Sequence, residues 1–75
     1  MTALRKRYYA DFTVGDGELD TLSFWATDVA GAGRAARVFC EGRAMVFDKV
    51  DPRWDAVKID GEVVLRHDLE QREHG

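Results

Sequence analysis

From Arg5 to Val14 the sequence alternates with a period of two. Tyr8, Ala10, Phe12 and Val14 fall on one side, and Arg7, Tyr9, Asp11 and Thr13 on the other. Successive side chains of an extended chain point to opposite faces, so the segment predicts a strand with one apolar face that another element must cover. Gly15, Asp16 and Gly17 stop it with strong turn chemistry, and alternation resumes with Leu22, Phe24 and Ala26 against Thr21, Ser23 and Trp25. The pair reads as a hairpin with a loop of several residues. Its register matters, because a slip of one residue would exchange the two faces and turn Trp25 into core.

The covering element follows directly. Thr27 or Asp28 can cap a helix, since either side-chain oxygen accepts a hydrogen bond from the free N–H groups that open it. Val29, Ala32, Ala36 and Phe39 or Cys40 then recur at helical spacing, with Arg34, Arg37 and Glu41 turned outward. Gly42 stands where a left-handed cap belongs, which gives a helix of about three turns. Ala44 to Val50 is β-like, and Asp51-Pro52 interrupts it because proline lacks an N–H. Ala56 to Ile59 and Glu62 to Leu65 flank Asp60-Gly61, a strong signal for a tight hairpin. The expected fold is α+β, a small antiparallel sheet with one helix packed on one face. Its expected order is β-β-α-β-β, with room for a fifth short strand. Residues 1–65 form a single domain in this reading, and residues 66–75 a charged C-terminal tail, frayed or ending as a solvated helix.

A chain of 75 residues buries only about 60% of its unfolded surface, which leaves little room for an elaborate catalytic cavity. A hydrophobic share of 45% beside 33% charged residues nevertheless belongs to a chain that folds. The formal net charge of -3 denies it the overall basic field that supplies non-specific affinity for nucleic acid. Its one cysteine, Cys40, has no partner for an intramolecular disulfide, which fits a reducing compartment. Neither a secretory h-region nor a long apolar run is visible, so a cytoplasmic protein without membrane contact is expected.

One stretch invites a sharper reading. Gly31, Gly33 and Ala36 have the G-x-G-x-x-A spacing of a dinucleotide-binding turn, and Asp48 follows a second apolar run. In such units the glycines let pyrophosphate approach a helix N-terminus and the acid binds ribose hydroxyls. The spacing resembles dinucleotide-binding βαβ units over roughly a third of the chain. The context differs, because Thr27 and Asp28 would have to lie in the buried first strand and the helix would shrink to about two turns. Close helix-to-sheet packing also explains both glycines, at about 1 kcal/mol each relative to alanine.

Other chemistry is sparse. His67-Asp68 could pair a base with its orienter, but chain neighbours seldom achieve that geometry. Cys40 near a helix C-terminus meets the negative end of the dipole, which makes a poor nucleophile. Asp48, Asp51, Asp55 and Asp60 lack the glycine-centred loop of a calcium hand, and turns attract aspartate for local bonding. No catalytic residue, cofactor or metal is assigned.

Tyr9 and Trp25 carry more weight, lying on the face of the first hairpin opposite Phe12 and Phe24. Beside Arg5, Lys6 and Arg7 they could anchor a protein partner, where Trp, Tyr and Arg dominate the energetics. They could also stack bases as single-strand binders do. A cross-strand pair that only stabilises the sheet, or that Trp54 and the tail cover, is the plainer alternative. Asp16, Glu18 and Asp20 add an acidic surface suited to a basic partner.

The function expected is therefore a non-enzymatic protein-interaction module. Tyr9, Trp25 and Arg7, or Asp16, Glu18 and Asp20, dock on a larger protein, and an edge strand can pair with its copy to form a homodimer. In size, acidity and lack of catalytic motifs the chain resembles small phage-encoded proteins that block host defence machinery, including the anti-CRISPR inhibitors. That likeness implies an inhibitor acting on a larger complex, with acidic mimicry of a phosphate surface as one mode. A single-stranded nucleic-acid binder is the alternative, and a dinucleotide binder at Gly31 and Gly33 the second.

Overall fold

The computed structural model describes residues 4–74, with side chains through residue 72. Residues 1–3 of the expected domain and Gly75 of the expected tail lie outside the described residues. Strands β1 (Arg5–Val14) and β2 (Leu19–Ala26) form the hairpin, followed by helix α1 (Val29–Cys40), β3 (Met45–Val50), β4 (Ala56–Ile59), β5 (Glu62–Leu65) and helix α2 (Arg66–His74). The fold is α+β with an antiparallel five-stranded sheet. The order is β-β-α-β-β-β-α, so the expected order and single helix are not exact: the fifth strand, for which that order left room, is present, and a second helix follows it.

The hairpin register is the one the alternation implied. Tyr8 stands opposite Phe24 and Ala10 opposite Leu22, while Arg7 stands opposite Trp25 and Tyr9 opposite Ser23. Gly17 takes a φ of 88° in the loop, and the Val14 N–H donates to the Glu18 carbonyl at 2.9 Å to close it. Strand β2 starts earlier than its apolar residues suggest, since backbone pairing carries Leu19, Asp20 and Thr21 along Thr13, Phe12 and Asp11.

Asp28 is the cap of α1, its Oδ1 accepting from the Gly31 N–H at 2.7 Å. Ala32 and Ala36 are fully buried against the sheet, where their small side chains let the helix lie close. Val29, read as part of that inner face, is exposed at the helix start instead. Around Phe12 the rings of Phe24, Phe39 and Phe47 stand at 6.0, 6.1 and 6.0 Å between centroids. These tilted arrangements suit the aromatic quadrupole. Gly42 adopts the left-handed φ of 74° its position called for.

Strand β1 uses both of its edges fully. One pairs with β2; the other pairs with β3 over Ala10–Val14 and with β4 at Arg5 and Lys6. Between them Pro52 cannot donate to a ladder, yet the edge stays bonded, because Asp51 N–H donates to the Tyr9 carbonyl at 2.9 Å and Asp55 N–H to the Arg7 carbonyl at 3.3 Å. Strands β3 and β4 thus behave as one strand interrupted by a loop, and that loop delivers Asp55 to the sheet. Asp48 is the extra residue of a bulge opposite β1.

Helix α2 occupies the segment expected as a tail. It has no apolar stripe; Arg66 bonds Glu70 and His67 meets Gln71, both at 3.1 Å with i,i+4 spacing. The Arg66 N–H also donates to the Asp55 carbonyl at 2.8 Å, and its guanidinium lies 4.8 Å from the Trp54 ring centroid. Among the described residues no helix is long and apolar enough to cross a membrane.

Candidate docking face of the sheet

Helix α1 covers one face of the sheet, and the other carries Arg7, Tyr9, Asp11 and Thr13 of β1 beside Thr21, Ser23 and Trp25 of β2. Asp55 organises its upper half. The Arg7 Nε donates to Oδ1 at 2.7 Å, the Arg7 Nη2 to Oδ2 at 3.0 Å, and the Tyr9 hydroxyl to the same Oδ2 at 2.8 Å. A bidentate fork of this kind fixes orientation as well as charge. Hydrogen bonding from Arg7, and secondarily from Tyr9, holds the Asp55 carboxyl below its ordinary range despite partial burial. The bond to Asp55 pushes the Tyr9 phenol up, and Arg7 is likewise raised by its bond to Asp55.

So pinned, the Arg7 guanidinium lies 5.8 Å from the centre of the Trp25 ring and 5.9 Å from that of Tyr9. Lys58, on β4, places its Nζ 5.2 Å from the Trp25 ring centre. Trp25 is half-buried, its indole held among cations rather than covered by other side chains of the core. Trp54, the candidate cover, packs on the helix side against Tyr8, Ala26 and Ala32.

Charge is divided along this face. Arg5 stands opposite Lys58 at the upper end, near Arg7 and Asp55. At the lower end Thr21 bonds Asp11 at 2.9 Å and Thr13 bonds Asp48 at 2.8 Å, with Lys49 in register with Asp11. Asp16 and Glu18 lie in the hairpin loop beyond, exposed, with Asp16 accepting the Glu18 N–H at 3.2 Å. Asp20 faces the helix side opposite Phe12 and accepts the Thr21 N–H at 3.0 Å. The structure therefore joins Tyr9, Trp25 and Arg7 in one patch, sets Asp16 and Glu18 beyond the other end of β1, about 20 Å from Arg7 at strand rise, and puts Asp20 on the opposite face across from Phe12.

Asp55 and Lys58 are the members of the patch that sequence reasoning did not place there. Asp55 was visible only as one acid of a scattered set, because nothing local says that β4 returns to the start of β1.

Gly31 and Gly33 lie inside the first turns of α1. A Cβ at Gly31 would come within 3.1 Å of Asp28 Oδ1 and 3.5 Å of the Ala26 Cβ, whereas one at Gly33 would meet only Val50 at 3.9 Å. The capping Asp28 carboxylate crowds the first glycine, while the contact with the sheet is ordinary, and Gly33 has room for a side chain, so close helix-to-sheet packing does not explain the pair. Gly33 and Asp48 do line one cleft of about 460 Å³ between α1 and β3, together with Arg34, Arg37 and Lys49. The helix N-terminus itself is engaged by the Asp28 carboxylate.

The remaining candidates are separate. His67 and Asp68 sit on α2, and Cys40 is free and half-buried. Among the described residues no three His, Cys, Asp or Glu side chains converge as metal ligands. A scan against protein-family models, a search of curated proteins and a search of solved structures each return no match to this chain.

Proposed function

We propose that the protein is a non-enzymatic interaction module that docks on a larger protein through the open face of its sheet. The observation that carries this reading is the state of Trp25, an aromatic anchor left on the uncovered face and ringed by Arg7 and Lys58. Tyr9 and Asp55 hold Arg7 in place, so little side-chain entropy remains to be lost on binding. Aromatic and arginine side chains in such a setting dominate interface energies, and charges around them steer the approach. The narrower reading, an inhibitor of a host defence complex, rests on small size and a net charge of -3.

Single-stranded nucleic acid is the second reading, favoured by Arg7 and Lys58 beside the same indole, with Arg5 in register with Lys58. Dinucleotide binding has less support. Strands β2 and β3 both run antiparallel to β1 and lie on either side of it, whereas the dinucleotide unit sets its parallel strands side by side.

The test is capture from a host lysate with tagged wild-type protein and with Trp25→Ala, each with and without nuclease. A protein retained after nuclease by the wild type and lost by a folded Trp25→Ala supports the docking module. Capture abolished by nuclease moves the assignment to nucleic acid, and equal capture by both proteins removes Trp25 from the site.

A further inference from the structure

The sheet has an edge whose protection is unlike that of the others. Strand β3 carries a bulge with Asp48 and Lys49, and β5 is only 4 residues long and starts at Glu62. Both are ordinary ways to discourage edge pairing. Strand β2 is 8 residues long, pairs with β1 throughout without a bulge, and contains no proline, lysine or arginine.

The Val14-to-Glu18 bond sets the phase of the β1–β2 ladder. Alternation then turns the backbone groups of Asp20, Leu22, Phe24 and Ala26 toward β1 and those of Thr21, Ser23 and Trp25 outward. The Asp20 carboxylate holds the outward Thr21 N–H, a local acceptor that a carbonyl from a second strand replaces.

We infer that β2 pairs antiparallel with β2 of a second copy about a two-fold axis at Ser23, giving one continuous sheet with both α1 helices on the same face. Perpendicular two-fold symmetry requires one residue to face itself, either an outward one in a hydrogen-bonded pair (Thr21, Ser23 or Trp25) or an inward one in a non-hydrogen-bonded pair (Asp20, Leu22 or Phe24). The Leu22 and Ser23 axes overlap the most strand, and Leu22 would set the Asp20 carboxylate opposite Phe24 of the second copy, a pairing avoided by the Ser23 axis. The Ser23 axis sets Leu22 opposite Phe24 of the second copy on the helix side, covering two side chains that the monomer leaves half-exposed. On the open face it sets Thr21 opposite Trp25 of the second copy, a β-branched and aromatic pairing.

Charge selects the same arrangement. Reversing the second copy places the upper end of one open face, with Arg5, Arg7, Lys58 and Asp55, beside the lower end of the other, with Asp11, Asp48, Lys49, Asp16 and Glu18. One row across the sheet reads Arg7, Trp25, then Thr21 and Asp11 of the second copy. Moving the axis to Thr21 would bring the two acidic ends together, and moving it to Trp25 the two cationic ends. Helix α1 packs on β1, β2 and β3, and the two β1 strands would be about 14 Å apart at three strand spacings. That is more than the 8–10 Å or so that packed helices need, so the helices do not obstruct pairing. The inference is independent of the docking reading, and its variants leave Trp25, Arg7 and Lys58 in place.

The test is sedimentation velocity of the full chain over a concentration series, with Ser23→Pro as the blocking variant. The Ser23 N–H points away from β1, so proline there spares the hairpin ladder. The expected result is a wild-type dimer and a folded, monomeric Ser23→Pro. In a Cys40→Ser background, Ser23→Cys should oxidise to a covalent dimer. Leu19→Cys should not, because its copies would lie eight residues apart along the strands, about 26 Å, beyond disulfide reach. This cysteine pair decides the matter should Ser23→Pro fail to fold. A wild type that stays monomeric up to about 1 mM, a folded Ser23→Pro that still dimerises, or equal cross-linking at Leu19→Cys would overturn the inference. The monomeric result would leave the edge to a strand of some other protein.

Discussion

The Arg7 guanidinium and the Asp55 carboxylate meet through two parallel hydrogen bonds of 2.7 and 3.0 Å across 48 residues of chain. This pair links the first strand to the loop that precedes the fourth, and it aims the guanidinium at Trp25. Packing and surface chemistry are thus joined at one contact.

Asp55→Ala removes both bonds to Arg7 and the acceptor of Tyr9. With the pair partly open to solvent, the loss should be about 1 kcal/mol, near the upper end for an exposed ion pair. That corresponds to a fall of about 4–8 °C in melting temperature for a domain of this size. Trp25 fluorescence should change as well, as Arg7 is freed from its place beside the indole.

Stability should fall at both extremes of pH. The folded state lowers the Asp55 carboxyl, mainly through the Arg7 bond. Its contribution is present above the unfolded carboxyl value of about 4 and is lost as pH drops through the lower folded value. Tyr9 is raised by its bond to Asp55, and Tyr8 by burial with a smaller push from Asp28. Their contribution is complete below the unfolded phenol value of about 10 and disappears as pH rises through the folded values. Denaturant titrations across pH should show the acid limb flattened in Asp55→Asn and the alkaline limb reduced in Tyr9→Phe.

Phe12 is fully buried at the centre of the ring cluster. Phe12→Ala should cost about 3–5 kcal/mol, a large share of the total for a small domain. Loss of the cooperative thermal transition, or its displacement far toward low temperature, is the expected reading by circular dichroism.

Asp60 and Gly61 take φ values of 51° and 80° in the β4–β5 turn. Left-handed backbone at both positions is what this turn demands, so Gly61→Ala should destabilise by about 1 kcal/mol even though a Cβ would meet nothing within 4 Å. Gly15→Ala, at ordinary φ with only a 4.0 Å approach to the Ala44 carbonyl, should be close to neutral. Chemical denaturation of the two variants gives the comparison.

Added dinucleotide should not shift the melting temperature, since the Gly31 N–H is already bonded by Asp28. A concentration-dependent rise in thermal shift would revive that reading.

The hairpin, the helix and the face of Trp25 were legible because each rests on local periodicity. Tyr8, Ala10 and Phe12 against Arg7 and Tyr9 specify sides of a strand without any knowledge of what lies beyond it. The second helix was not legible as a packed element, since Arg66–His74 has no apolar period and is supported by Arg66–Glu70 and His67–Gln71. Asp55 was hidden for a different reason. Its role depends on a return of the chain to Arg5 and Lys6, and the two-residue pairing of β1 with β4 leaves no pattern in the residues themselves.

That brief pairing divides the molecule into unequal cooperative parts. Strands β1, β2 and β3 with α1 share long ladders and the aromatic cluster, whereas β4, β5 and α2 join them through Arg5, Lys6 and the Asp55 bonds. Amide hydrogens of the second part should exchange by a partial opening that spares the first. Each such opening carries off Asp55 and Lys58 together, so the cationic setting of Trp25 is dismantled while most of the sheet stays folded.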